Sequence, residues 1–177
     1  MTWRVVVTGS ECTGKTTLAQ AIALRLCVPC LAEPSRAYAE ARGGVLSAAD
    51  VEPIARATIT ALGQGKGAGV VVCDTDLVST MVYARAYYGS CPAWIEAECG
   101  ERLGNLYLLC SPDIPWVADG VRDRPLASER AAMHEAFALA LRDLGARTVL
   151  VEGAGAARTE SALAAVNAAL PSTAERA

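Results

Sequence analysis

Along the chain, short runs of apolar and β-branched residues alternate with longer stretches in which apolar positions recur every three or four residues. The first pattern marks a buried strand and the second an amphipathic helix. WRVVVTG (3–9) reads as a strand, and a helix follows from Lys15 with Leu18, Ile22 and Leu26 on one face. CLAE (30–33) is a short second strand, and residues 35–42 are helical up to a stop at Gly43 and Gly44. Asp50 reads as the N-cap of a helix with Pro53 in its first turn and Val51, Ile54, Ala55, Ile59 and Leu62 at helical spacing. VVVCDTD (70–76) is a strand running into two acids, reached by the glycine-rich loop 63–69. Helices follow over 77–88 and about 93–102, broken by GSCP (89–92), and then a strand, NLYLLC (105–110). Residues 111–125 form a long, charged, proline-marked connection. Ser128 reads as the cap of a helix with Met133, Phe137 and Leu141 on its buried side, ending at Gly145. RTVLVEG (147–153) is the fifth strand, a last helix spans about 160–170, and 171–177 is a loose tail.

Strands that are apolar throughout and alternate with helices predict an α/β fold, with a five-stranded parallel sheet covered by helices on both faces. The length of 177 residues suits one domain over 1–177, and no repeat or long linker divides it.

Composition narrows the function classes. Apolar residues make up 53% and charged residues 20%, which is a globular balance. No apolar run reaches the roughly 20 residues of a membrane helix. The chain enters a strand directly after its first residues with no signal-peptide pattern, which predicts a cytoplasmic protein without a membrane partner. The net charge of −3, with no basic stripe, argues against a nucleic-acid polymer as partner. Seven cysteines without an export signal read as reduced thiols. Cys27 and Cys30 form one C-x-x-C without a second pair. They read as two buried thiols where a helix end meets the next strand, and not as a zinc site.

The most specific local signal is GSECTGKT (9–16), which fits G-x-x-x-x-G-K-[ST] at every fixed position, with a strand before it and a helix after it. Glycines let the backbone curl so that successive N–H groups form an anion nest, and the following helix directs its positive end at the same point. Gly9, Glu11, Cys12, Thr13, Gly14, Lys15, Thr16 and Thr17 are therefore expected around the phosphates of ATP. Lys15 reaches the β- and γ-phosphates and Thr16 joins a Mg²⁺ shell. Thr17 is expected to help cap the helix start. Cys12 reads as an oxidation liability rather than a nucleophile.

Further candidates lie at the ends of other strands, where parallel α/β sheets bind ligands. Asp74 is the expected Mg²⁺ partner, and Asp76 either joins it or caps the helix at 77. Glu33, in AEPSR, is placed to accept the proton of an acceptor hydroxyl. Glu33 and Asp74 both remain open as the base. Arg36, three residues on, faces the substrate or Glu33 itself. DGVRDRP carries Arg122 and Arg124, planar cations suited to the transferring phosphoryl group, on an expected lid over about 112–126. EGAGAART (152–159) reads as a loop lying over the nucleotide base. Tyr83, Tyr87 and Tyr88 share the helix after Asp76, and one of them, with Tyr87 chosen, is expected to stack on a ring of the acceptor.

Taken in order, TGSECTGKTTLA, AEPSRAYAEARGG, CDTDLVST, YYG and PWVADGVR resemble the ribosylnicotinamide kinase domain of NadR-type proteins, within the P-loop kinase group. The resemblance runs from about residue 3 to 125 and more loosely to the end. It implies a P-loop NTPase fold and phosphotransfer from ATP to the 5′-hydroxyl of a nucleoside such as nicotinamide riboside. By motif position it assigns Gly14, Lys15 and Thr16 to ATP and magnesium, Asp74 to magnesium or the ribose, and Arg122 to the phosphates.

The first strand begins at residue 3, so the adenylyltransferase domain that precedes the kinase in NadR proteins is expected to be absent. The positions at which nicotinamide-riboside-accepting members carry ring-stacking aromatics read Ala32 and, by approximate spacing, Leu62. The expected partner is thus a small-molecule acceptor, nicotinamide riboside or another nucleoside or small alcohol, with self-association left open. The rival reading is a nucleotide-dependent regulatory ATPase with no acceptor. A GTP switch is disfavoured, because no N-K-x-D motif follows a late strand.

Overall fold

The computed structural model describes residues 2–115 and 126–171. Most of the expected lid, including Arg122 and Arg124, and the tail from residue 172 lie outside the described residues. Five parallel strands form one sheet: β1 (Trp3–Thr8), β2 (Cys30–Leu31), β3 (Val70–Asp74), β4 (Leu106–Cys110) and β5 (Thr148–Val151). Their order is β2-β3-β1-β4-β5. The order steps away from β1 in both directions. The carboxyl ends of β1, β3 and β4 thus open a crevice where the chain changes direction, the position ligands take in such sheets.

Successive strand residues point to opposite faces, and the core divides accordingly. Val6, Val71, Cys73, Tyr107 and Leu109 pack on one side against α3 (Val51–Gln64), α4 (Leu77–Tyr88), α5 (Ala93–Glu101) and α6 (Ala127–Asp143). Val5, Val7, Val72, Leu106, Leu108 and Cys110 pack on the other against α1 (Lys15–Leu26) and α7 (Gly155–Ala169). Helices therefore cover both faces, as the apolar strand pattern predicts. The remaining helix, α2 (Pro34–Ala41), lies against α3.

Several local expectations are corrected. Helix α1 begins at Lys15 with Gly14 as N-cap in the left-handed region, φ 73°, and no side chain caps it, so Thr17 sits in the third helical position. Asp50 precedes α3 but does not cap it. Its carboxylate turns back into a capping box with Ser47 on the short 3₁₀ turn Ala48–Asp50. Helix α6 begins at Ala127 after Leu126, two residues before the spacing from Ser128 implies. Helix α7 begins at Gly155, so most of 152–159 is helix and not loop. Cys27 and Cys30 are both exposed rather than buried, and neither forms a disulfide. Leu62 packs in the core between α3 and the sheet, away from the crevice.

Candidate functional site

The loop from Gly9 to Gly14 joins β1 to α1 and takes its shape from three backbone constraints. Gly9 has φ 133°, and a Cβ there would come within 2.9 Å of the Cys110 carbonyl oxygen, so only glycine fits between β1 and β4. Cys12 at φ 58° and Gly14 at φ 73° bend the chain the other way, which turns the loop amides inward. The Ser10 carbonyl closes the curl by accepting from the Thr13 hydroxyl and from Lys15 Nζ, both at 2.8 Å. Thr13 and Ser10 are fully buried, whereas Thr16 and Thr17 are exposed at the mouth of α1.

A second bent segment lies beside it. Asp74 ends β3, and Thr75 follows with φ 63°, a rare conformation for a β-branched residue, held by its N–H donating to the Val7 carbonyl at 3.0 Å. Positive-φ outliers of this kind collect at functional sites. Asp74 is buried, and its Oδ1 is without a hydrogen-bond partner. Burial raises its pKa, the Thr16 hydroxyl opposes that, and the nearby Glu33 charge adds to it. A buried carboxylate oxygen left open beside a hydroxyl is a donor set suited to Mg²⁺, which takes few protein ligands and fills its octahedron with water and phosphate. Among the described residues no cluster of three or more His, Cys, Asp or Glu could hold a metal unaided.

Asp76 does not join that pair. Its Oδ1 accepts the Val78 N–H at 3.0 Å and caps α4, and its Oδ2 accepts the Tyr107 hydroxyl at 2.5 Å. Burial pushes its pKa up to about 6 even against these bonds. Of the two uses open to it in the sequence, capping is the one its side chain makes.

Glu33 immediately precedes α2. Pro34 restricts it to the extended region, where it sits at φ −72° and ψ 113°, so the carboxylate projects from the end of β2. Its Oε1 accepts the Ser35 hydroxyl at 2.7 Å. Arg36 lies on the same rim.

Residues 11–17, Glu33, Ser35, Arg36 and Thr75 line one cavity of about 560 Å³, whereas Gly9, Asp74 and Asp76 are not among its lining residues. Residues 11–17 form one end, Glu33, Ser35 and Arg36 the side, and Val51, Ile54 and Thr58 of α3 face Tyr83, Tyr87 and Tyr88 of α4 at the other end. Tyr83 ties the two ends together. Its hydroxyl donates to Glu11 Oε2 at 3.0 Å, and its ring stacks on Tyr87 with centroids 6.0 Å apart and lies edge-on to Phe137. Burial and the Glu11 charge keep the Tyr83 hydroxyl protonated, hence a donor. Tyr87 is 44% exposed, and it presents a ring to the cavity. Ala32, one of the two positions at which the family resemblance places an aromatic, is exposed and is not among the cavity-lining residues.

Sequence reasoning missed the device that closes the cavity at its far end from the loop 9–14. Asp50, buried, accepts the Ser47 N–H and hydroxyl at 2.8 Å each and the Tyr38 hydroxyl at 3.0 Å, and pairs with Arg42 at 3.0 Å. It thereby folds residues 42–47 into the cavity wall, where Gly44, Val45, Leu46 and Ser47 line it. The Ser47 N–H and hydroxyl hold its carboxyl below the usual range against the effect of burial, and Tyr38 and Arg42 assist. A depressed carboxylate pKa contributes stability above the ordinary carboxylate range, lost as pH falls through the folded-state value. Tyr38, Arg42 and the more distant Tyr88 are the titratable groups that face it. Asp50→Ala is expected to strip residues 42–47 of their protection from hydrogen exchange while the loop 9–14 keeps its own, read by mass spectrometry. In the parent protein, protection of residues 42–47 from hydrogen exchange should fall as the pH drops below the carboxylate range.

Similarity to known proteins agrees with this geometry. Two solved structures of NadR protein, one in complex with NR and one with NAD and AMP-PNP, match with TM-scores of 0.77 and 0.79 at 24% and 25% identity. Each match covers 95% of this chain but only 51% and 49% of the NadR chains, so this chain spans about half their length. Thymidylate kinase from Ehrlichia chaffeensis matches with TM-score 0.66 at 14% identity, over 93% of this chain and 98% of its own. Deoxyadenosine kinase from M. mycoides matches with TM-score 0.59 at 11% identity, over 93% and 99%. No curated protein matches the sequence. The fold is thus that of P-loop kinases. A family model described as "AAA domain" matches residues 4–158, taking in the phosphate-type loop, the crevice and both faces of the sheet, and the chain belongs to that P-loop family.

Proposed function

We propose that this chain is an ATP- and Mg²⁺-dependent kinase that phosphorylates a hydroxyl of a nucleoside-like acceptor, of the nicotinamide riboside kinase type. One observation carries the reading. A single cavity runs from an anion-binding loop at one end, past the Glu33 carboxylate on its side, to a tyrosine wall at the other. A regulatory ATPase needs the first end only. The resemblance of the motifs to NadR kinase domains, and the NadR and nucleoside kinase structures among its neighbours, support the same reading.

The amides of residues 11–15, Lys15 and the start of α1 bind the β- and γ-phosphates. Thr16 and Asp74 would hold Mg²⁺, which when bound neutralises phosphate charge and orients the terminal phosphoryl group. Glu33, on the cavity surface, takes the acceptor proton as the acceptor oxygen bonds to the γ-phosphorus and the β–γ bridging P–O bond breaks, releasing ADP. Tyr87 offers its ring face to the acceptor base. A tyrosine face also attracts a cationic pyridinium, which suits nicotinamide riboside. In the same scheme Arg122 and Arg124 serve the transferring phosphoryl group, and Arg36 the acceptor.

The test is an acceptor panel with ATP and Mg²⁺, scored by mass for an added phosphoryl group and by ADP release. Nicotinamide riboside and the common ribo- and deoxyribonucleosides make up the panel. A phosphorylated nucleoside, with ADP release that depends on it, is expected. ADP release at one rate with every acceptor and with none, and no phosphorylated product, would replace the kinase by an ATPase.

A further inference from the structure

Behind the phosphate-type loop, on the side away from the cavity, lies a buried guanidinium that the proposed chemistry does not use. Arg158 stands in the first turn of α7 and is 5% exposed. Its Nη2 donates to the Thr13 carbonyl at 3.1 Å and to the Ser111 carbonyl at 3.2 Å. Its Nη1 donates to Asp113 Oδ1 at 2.8 Å and to the Gly153 carbonyl at 2.5 Å. The other Asp113 oxygen accepts the Gly153 N–H at 2.6 Å. Burial acts to raise the Asp113 pKa, but the Gly153 N–H and Arg158 overcome it and hold that carboxyl below its usual range. One side chain thus joins the segments that follow β1, β4 and β5.

The link to Thr13 bears on the anion nest. A trans peptide is planar, with its C=O and N–H on opposite sides. Among the described residues no peptide is cis. Fixing the Thr13 carbonyl toward Arg158 therefore turns the Gly14 N–H to the far side, where Gly14 lines the cavity. Gly14 tolerates that rotation at φ 73°. Held this way the amide needs no reorganisation when an anion arrives, and such preorganisation is what makes a dipole effective. For stability alone, a buried charge network is no better than apolar packing of the same volume. We propose that Arg158, oriented by Asp113, is a positioning residue of the nucleotide site, which fixes the Thr13–Gly14 peptide so that the Gly14 amide faces the phosphates. The proposal rests only on the phosphate-binding part of the function above.

The test measures ATP affinity by calorimetry without acceptor, and nicotinamide riboside affinity separately without ATP, for Arg158→Met, Arg158→Lys and Asp113→Asn, with the thermal midpoint of each. Losing a hydrogen-bonded charged group should weaken ATP binding on the order of 10- to 100-fold in Arg158→Met. Arg158→Lys should fail to restore it, since one ammonium cannot span the Thr13 and Ser111 carbonyls and Asp113 together. Asp113→Asn should fall between, and acceptor affinity should hold throughout. If Arg158→Met does not fold, the lysine and asparagine variants decide. ATP affinity within twofold of the parent in a folded Arg158 variant overturns the proposal. So does a parallel loss of ATP and acceptor affinity that tracks the thermal midpoint, which is the mark of a structural tie. A parent that binds ATP but phosphorylates no nucleoside defeats the kinase reading and leaves this one standing.

Discussion

Lys15→Ala is expected to lower kcat for acceptor phosphorylation by about two to three orders of magnitude, the usual loss when one preorganised group is removed from developing charge. Lys15 is one of two lysines in the chain and the one that lines the cavity. Its Nζ is held 2.8 Å from the Ser10 carbonyl, inside the curl of the loop, so its stem is already directed at the nest. On the proposed function an ammonium placed there would follow the γ-phosphate as negative charge shifts toward the leaving oxygen. The side chain is not part of either apolar cluster, so the thermal midpoint should stay near the parent's. Lys15→Arg should not rescue the rate, because a planar, delocalised guanidinium does not reproduce the compact point charge that the ammonium places beside the Ser10 carbonyl. Rate and ATP affinity are read together. Phosphorylation by Lys15→Ala at the parent's rate would remove the loop from the mechanism.

The parts of this site that could be read from the sequence are those written in a short run of residues. Gly9, Gly14, Lys15 and Thr16 announce their geometry because each meets a backbone or chemical demand of the loop itself. The apolar strands and their alternation with helices likewise gave a parallel sheet covered on both faces. What stayed hidden depends on contacts far apart in sequence. Arg158 sits in GAGAART, a run of small residues that reads as loop, and its partner Thr13 lies 145 residues away. Gly153 and Gly155 make the run read as loop, although Ala156 and Ala157 favour a helix and Ala162, Leu163 and Val166 pack it against α1 and the sheet. Asp50 looked like a cap because it precedes α3. Its carboxylate instead serves Ser47, Tyr38 and Arg42, because the 3₁₀ turn Ala48–Asp50 before α3 turns it back toward Ser47. Cys27 and Cys30 were expected inside because thiols usually are, yet the left-handed turn at Cys27, φ 52°, carries both out to solvent.

Two buried polar hubs flank the cavity, Arg158 behind the loop 9–14 and Asp50 beside residues 42–47, which on the proposed function are its phosphate and acceptor ends. Their failures should separate in kinetics, ATP binding for the first and acceptor binding for the second. Tyr83 spans the interval between them through its bond to Glu11 and its stack on Tyr87.

Glu33→Gln should lower kcat by about 10²- to 10⁴-fold, the range for a positioned general base, with little change in ATP affinity. The amide retains the shape of the carboxylate and can still accept from the Ser35 hydroxyl, while proton acceptance and the negative charge are removed. Asp74→Asn should behave differently. Asp74 is 5% exposed and faces the Thr16 hydroxyl, which suits a ligand of Mg²⁺ better than contact with an acceptor. Its substitution should move the rate against Mg²⁺ concentration to a higher half-saturating value and weaken ATP binding only when Mg²⁺ is present. Glu33→Gln should leave that curve in place. The two carboxylates sense one another, so the single variants are compared with the double variant. If Glu33→Gln shifted the Mg²⁺ curve while Asp74→Asn lost rate at saturating metal, the roles would be exchanged, and Asp74 would take the proton.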